Sequence, residues 1–142
     1  MYCIKKESRE DYPQITELLI KAFATHPYSQ QTEHLIVPAL RQAGALALAL
    51  VVHSQKGDIV GYIAFSHASV EGEKEGWYAL GPIAVLPELQ KQGIGTLLMK
   101  EGLRQIQALG AVGVVLVGDP HYYQHFGFQP YPDLYSGNIP QE

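Results

Sequence analysis

The residues with the clearest chemical potential lie in one stretch, Gln90-Lys91-Gln92-Gly93-Ile94-Gly95, followed by Thr96. Glycines at that spacing let a backbone turn tightly and bring consecutive N–H groups to face one point. A helix starting there adds amides with no carbonyl partner and the positive end of its dipole. Together these make a site for a phosphate or pyrophosphate. A glycine loop before a helix is also an ordinary connector, and the spacing alone leaves the two readings about even. The P-loop is excluded, because Gly95 is followed by Thr96 and Leu97 rather than Lys-Ser/Thr. The dinucleotide fingerprint is excluded too, because position 98 is Leu where a third glycine is needed.

The elements around this loop decide what it can do. MYCIKK alternates and reads as a first strand. Ser8 and Asp11 then resemble a capping box, with Pro13 tolerated in the first turns. Ile15, Leu18, Leu19, Ala22 and Phe23 recur at helical spacing, which predicts a helix over about 9–24. Glu33 to Ala43 reads as a second helix ending at Gly44, with Pro38 a signal for a kink or split. LALALVVHS, QKGD and IVGYIAFSHASV form a hairpin around Gly57-Asp58, and WYALGPIAV follows the polar turn EGEKEG as a third antiparallel strand. Ile94, Leu98, Met99, Leu103, Ile106 and Leu109 then follow the 3.6-residue period up to Gly110. GVVLVGD is a run of the kind buried on both faces. Strand, helix and buried strand make a βαβ unit, so residues 77–85 and 113–119 should run parallel. A short helix in HYYQHFG and a last strand in FQPY complete the expected order.

Composition narrows the classes. The chain has 142 residues, enough for one domain with a core. Ten Lys and Arg against fourteen Asp and Glu give a net charge of −4, which gives no support to nucleic-acid binding, since that usually needs a basic face. No run approaches the roughly 18 apolar residues of a membrane span, and MYCIKKESRED lacks the apolar stretch of a secretory signal. The expected location is cytoplasmic, with no membrane or nucleic-acid partner. Cys3 is the only cysteine, so no internal disulfide and no multi-Cys zinc site exist; it reads as a small buried hydrophobe. No metal is expected.

Here the pattern becomes specific. Gln90, Gly93 and Gly95 after the strand end Ala84-Val85, with Tyr123 four residues before Gly127-Phe128 in GDPHYYQHFGF, resemble the two signatures of the GNAT superfamily of N-acetyltransferases. The order of elements matches that superfamily to about Pro130, and the wording GDPHYYQHFGFQP is similar to a bacterial branch of predicted N-acetyltransferases. The resemblance implies an α/β (α+β) fold, the GNAT acyl-CoA N-acyltransferase fold: a central, mixed, mostly antiparallel sheet with one parallel βαβ pair, flanked by helices. It implies acetyl-CoA as co-substrate and transfer of its acetyl group to a primary amine, on a small molecule or a protein, by direct attack in a ternary complex. It also implies that the loop 90–96 (Gln90, Lys91, Gln92, Gly93, Ile94, Gly95 and Thr96) receives the pyrophosphate. The strand end Ile83, Ala84 and Val85 would pair with the pantetheine arm where the two parallel strands splay.

Pro82 supports an opening independently, because proline in a strand marks an edge, a bulge or a gap; a plain strand-end proline is the competing reading. The N–H of Ile83 or a near neighbour is then free for the thioester oxygen. Tyr123 would protonate the departing thiolate, a phenol pKa of about 10 lying within reach of a thiol's, about 8.5. Lys91 could meet the 3′-phosphate of CoA, and Lys100 reads as a solvated face. Some protein-acetylating members carry a Glu base four residues before the position of Ile83; this chain has Ala79. His67, Glu75 and Asp119 are the other candidates, and none is assigned; a bound water is the alternative. HPYSQQ and the EGEKEG turn would line the acceptor side.

After Pro130 no strand is legible in YPDLYSGNIPQE, although members of the superfamily normally end with one. The expectation is a single domain over residues 1–142 whose final strand is absent, lies past Glu142, or comes from a partner chain in a homodimer. A non-catalytic acyl-CoA-binding regulatory module stays open as the alternative function.

Overall fold

This computed structural model describes residues 2–24, 32–69, 75–116, 129–130 and 135–137. β1, Cys3–Lys6, leads into a 3-10 turn and then helix α1, Tyr12–Phe23. The Ser8 N–H donates to Asp11 Oδ2 at 2.8 Å and the Ser8 hydroxyl donates to the same oxygen at 3.1 Å, as the capping-box spacing predicts. Ile15, Leu18 and Leu19 form the buried stripe of α1. Cys3, expected inside, is exposed: β1 is the edge strand and shows mostly exposed positions.

Helix α2, Glu33–Gln42, is one continuous helix with Pro38 inside it. Pro38 is exposed, so the carbonyl that loses its partner can turn to water rather than be stranded. A part-buried latch also holds this helix. Arg41 donates from Nε and Nη2 to the Glu7 carboxylate at 3.1 and 2.8 Å, and Tyr62 Oη donates to the same group at 3.1 Å. The Arg41 guanidinium also lies 3.6 Å from the centre of the Tyr12 ring.

Strands β2 (Leu46–His53), β3 (Ile59–Ala68) and β4 (Trp77–Val85) form the antiparallel meander read from the sequence. Helix α3, Ile94–Ala108, follows a 3-10 turn, and β5, Gly113–Leu116, returns parallel to β4. The sheet order is β1-β2-β3-β4-β5-β7-β6, where β6 is Gln129–Pro130 and β7 is Tyr135–Gly137. β7 corrects the reading that no strand follows Pro130. It runs antiparallel to both β5 and β6. Three residues between turn formers carry too weak a local pattern to stand out; their strand character comes from the neighbours they pair with.

The sheet is buried on both faces. Leu48, Leu50, Ile63, Phe65, Tyr78 and Leu80 meet α3 on one side, while Ala49, Val51, Tyr62, Ala64 and Ala84 meet α1 and α2 on the other. α3 lies very close to the sheet at Gly102, where a Cβ would stand 2.7 Å from Phe65 Cε1. Of the six apolar positions read along α3, five are buried; Leu109, at the helix end, is 57% exposed.

Candidate active site at the strand opening

β4 pairs with β5 through Trp77, Ala79 and the residue between them, and no further among the described residues, although β4 runs on to Val85. The register against β3 also shifts there: Ile63 faces Ile83 but Phe65 faces Leu80, so β4 has one extra residue around Gly81-Pro82. Pro82 therefore sits in a bulge, one of the three placements its chemistry permits.

Beyond the bulge, one hydrogen bond settles which way the amides point. Leu86 N–H donates to the Val60 carbonyl at 3.0 Å. Antiparallel ladders alternate, so Ala84, paired with Tyr62, also turns its N–H and C=O toward β3. Ile83 and Val85 then turn theirs to the opposite edge, the side on which β5 pairs with β4 up to Ala79. The Val85 carbonyl on that edge accepts a hydrogen bond from Gln90 Nε2 at 3.2 Å. Sequence reasoning assigned Gln90 to the loop but did not foresee this tie to the strand.

The loop turns through two positive-φ residues, Lys91 at 65° and Gly93 at 94°. At Gly93 only glycine is unstrained. A Cβ on Gly93 would meet no protein atom within 4 Å, so the space above it is open. α3 begins at Ile94, and its first bond is Leu97 N–H to the Gly93 carbonyl at 3.0 Å. The N–H groups of Ile94, Gly95 and Thr96 thus have no partner within the helix. No side chain caps this end and no acidic residue occupies the first turn. An unblocked helix start of this kind attracts an anion. The Ile94 side chain is buried and pins the turn to the core, while Lys91, Gln92 and Thr96 are exposed. Lys91 and Lys100 both reach solvent.

The base candidates separate. Ala79 lies on the α1/α2 face, since its neighbours Tyr78 and Leu80 pack toward α3. His67 pairs with Tyr78, so it lies on the α3 face; its exposed ring sits 5.5 Å from the Tyr78 ring. Glu75 is exposed ahead of β4. Neither stands beside Ala79. Asp119, Tyr123, Gly127 and Phe128 lie outside the described residues, as do HPYSQQ and most of EGEKEG. Among the described residues there is no group of three His, Cys, Asp or Glu able to hold a metal, and no helix is long and apolar enough to cross a membrane.

Comparisons with known proteins agree with this geometry. The model of the acetyltransferase (GNAT) family matches residues 7–128. The chain is 36% identical over 126 residues to the uncharacterized N-acetyltransferase YhbS of Escherichia coli K12, covering 89% of this chain and 72% of YhbS. A crystal structure of a GNAT family acetyltransferase from Brucella melitensis in complex with acetyl-CoA is similar at a TM-score of 0.89 and 43% identity, covering 99% of this chain and 92% of that one. The crystal structure of E. coli YhbS in complex with CoA is similar at a TM-score of 0.85 and 30% identity, covering 98% and 82%.

Proposed function

The chain belongs to the GNAT acetyltransferase family, and from that premise we propose that it transfers the acetyl group of acetyl-CoA to a primary amine by direct attack in a ternary complex. The observation that carries the reading is the conjunction of an uncapped α3 start with a β4 edge that has no strand partner past Ala79 among the described residues, joined by Gln90. The pyrophosphate would meet the N–H groups around Gly93 to Thr96. The pantetheine amides would pair with the edge groups of Ile83 and Val85, and the exposed Lys91 side chain is within the same loop for the 3′-phosphate. The complexes of the Brucella protein with acetyl-CoA and of YhbS with CoA support the same ligand class.

In the reaction the neutral amine attacks the thioester carbon. A C–N bond forms, the C–S bond breaks, and the electron pair leaves on sulfur. An edge N–H near Ile83 would stabilise the oxygen of the tetrahedral intermediate. Tyr123 is the proposed acid for the thiolate, and water takes the proton lost by the amine, since no carboxylate replaces Ala79. The domain is proposed to span the whole of residues 1–142, alone or as a homodimer, and to work in the cytoplasm.

Calorimetric titration with acetyl-CoA, CoA and adenosine diphosphate tests the binding half. Tight binding of both CoA forms is expected, with the diphosphate alone weaker. Absence of binding by any CoA form would refute the site. Binding without acetyl consumption across amines would favour the regulatory module instead.

A further inference from the structure

We propose that Ser66 positions the acceptor amine, its hydroxyl accepting a hydrogen bond from the amine N–H beside Ala79; this rests on the acetyltransfer reading above. Ser66 and Asp11 are the buried polar residues among the described core. Asp11 is accounted for by Ser8 and by His53, whose Nε2 lies 3.6 Å away. The Ser66 hydroxyl has no hydrogen-bond partner among the described residues, whereas the Tyr62 hydroxyl of the same strand donates to Glu7 and His67 is exposed.

Its place gives it a use. Ser66 pairs directly with Ala79, and among the described residues Ala79 is the last of β4 that pairs with β5, opposite Val115. Side chains alternate along β3, with Tyr62 and Ala64 on the α1/α2 face, so Ser66 falls on that face beside Ala79. Directly opposed residues of an antiparallel pair have Cβ atoms about 4.5–5.5 Å apart. The hydroxyl therefore borders the space that a longer residue at 79 would fill, at the end of the β4–β5 pairing among the described residues. His67, the adjacent polar residue, projects from the other face.

A serine hydroxyl is too weak a base to keep the proton. Ser66 orients the neutral amine, so that its lone pair meets the thioester carbon. It can also relay the proton, taking the amine's proton as it passes its own to a water, with no net change at Ser66. A small residue at 79 leaves the room this requires.

The test compares wild type with Ser66→Ala, Ser66→Cys and Ser66→Thr, at saturating acetyl-CoA. The probe is the best acceptor among spermidine, a lysine-containing peptide and a peptide with a free amino terminus. Loss of one hydrogen bond predicts kcat/KM for the amine about tenfold lower in the Ala and Cys variants. KM for acetyl-CoA and the melting temperature should stay near wild type, and Thr, which keeps the hydroxyl, should recover most of the loss. Ala and Cys variants within about twofold of wild type, a difference no larger than roughly 0.4 kcal/mol, would overturn the inference while leaving the acetyltransfer reading intact. An equal rise in both KM values without recovery by Thr would also overturn it, as a structural effect. Wild type that binds acetyl-CoA yet acetylates none of the amines would overturn both.

Discussion

Gln90 Nε2 donates to the Val85 carbonyl across 3.2 Å, tying the first residue of the glycine loop to the β4 edge, which has no strand partner past Ala79 among the described residues. The two binding surfaces proposed for acetyl-CoA, loop amides and strand edge, are thereby fixed relative to each other. Gln90→Ala should weaken acetyl-CoA binding by about 0.5–1.5 kcal/mol, the net value of one such bond. Calorimetry on the folded variant measures it, and unchanged affinity would mean that the tie does not organise the site.

At Gly93 the backbone itself makes the prediction. Its φ of 94° suits glycine, and a side chain there would also enter the open space above the loop. Gly93→Ala and Gly95→Val should each reduce acetyl-CoA affinity, the first because a left-handed turn costs alanine about 1–2 kcal/mol and the loop then relaxes away from the shape that presents its amides. Circular dichroism establishes folding, and titration with acetyl-CoA reads the effect. Wild-type affinity in both variants would remove the loop from the site.

Tyr123→Phe keeps the ring and loses the proton. If Tyr123 protonates the thiolate, turnover should fall by about 10²–10⁴-fold with little change in acetyl-CoA affinity. With water as proton acceptor, kcat/KM should climb with pH through the neutral range, toward the amine pKa of about 10.4. His67→Ala, Glu75→Gln and Asp119→Asn should keep that rising limb. A variant that binds acetyl-CoA but loses activity by orders of magnitude, and the limb with it, would identify a protein base.

Glu7 accepts hydrogen bonds from Arg41 and Tyr62, and the side chains of the ion pair are 11% and 14% exposed. Burial works against the Arg41 charge, but the hydrogen bonds and charge of Glu7 outweigh it and hold the guanidinium pKa above its usual value. Burial, together with the Glu7 charge, pushes the Tyr62 phenol up. Glu7→Ala leaves Arg41 without its counter-charge and should cost on the order of 3 kcal/mol, lowering the melting temperature by about 6–12 °C. Thermal unfolding followed by circular dichroism checks this. A shift under about 2 °C would make the latch dispensable.

Much of this was legible because it is local. The capping box and the glycine loop are written in a few consecutive residues and the hairpin in neighbouring strands, and with the order of elements they pointed to the GNAT family. The rest depends on which strand lies beside which. Cys3 looks apolar in sequence, yet its strand ends up at the sheet edge. Pro38 reads as a helix breaker until its exposure and the Glu7–Arg41 latch are known. Tyr135–Gly137 becomes a strand only through β5 and β6. The Ser66–Ala79 pairing follows from a register that no periodicity of either strand reveals.

The most direct measurement is product formation. Wild-type protein is mixed with acetyl-CoA and a panel of primary amines, and free CoA thiol and acetylated amine are quantified together, the second by mass spectrometry. At least one amine should give both products in equal amounts over many turnovers. Tight acetyl-CoA binding with thiol release no faster than spontaneous hydrolysis, for every amine, would contradict the acetyltransfer reading.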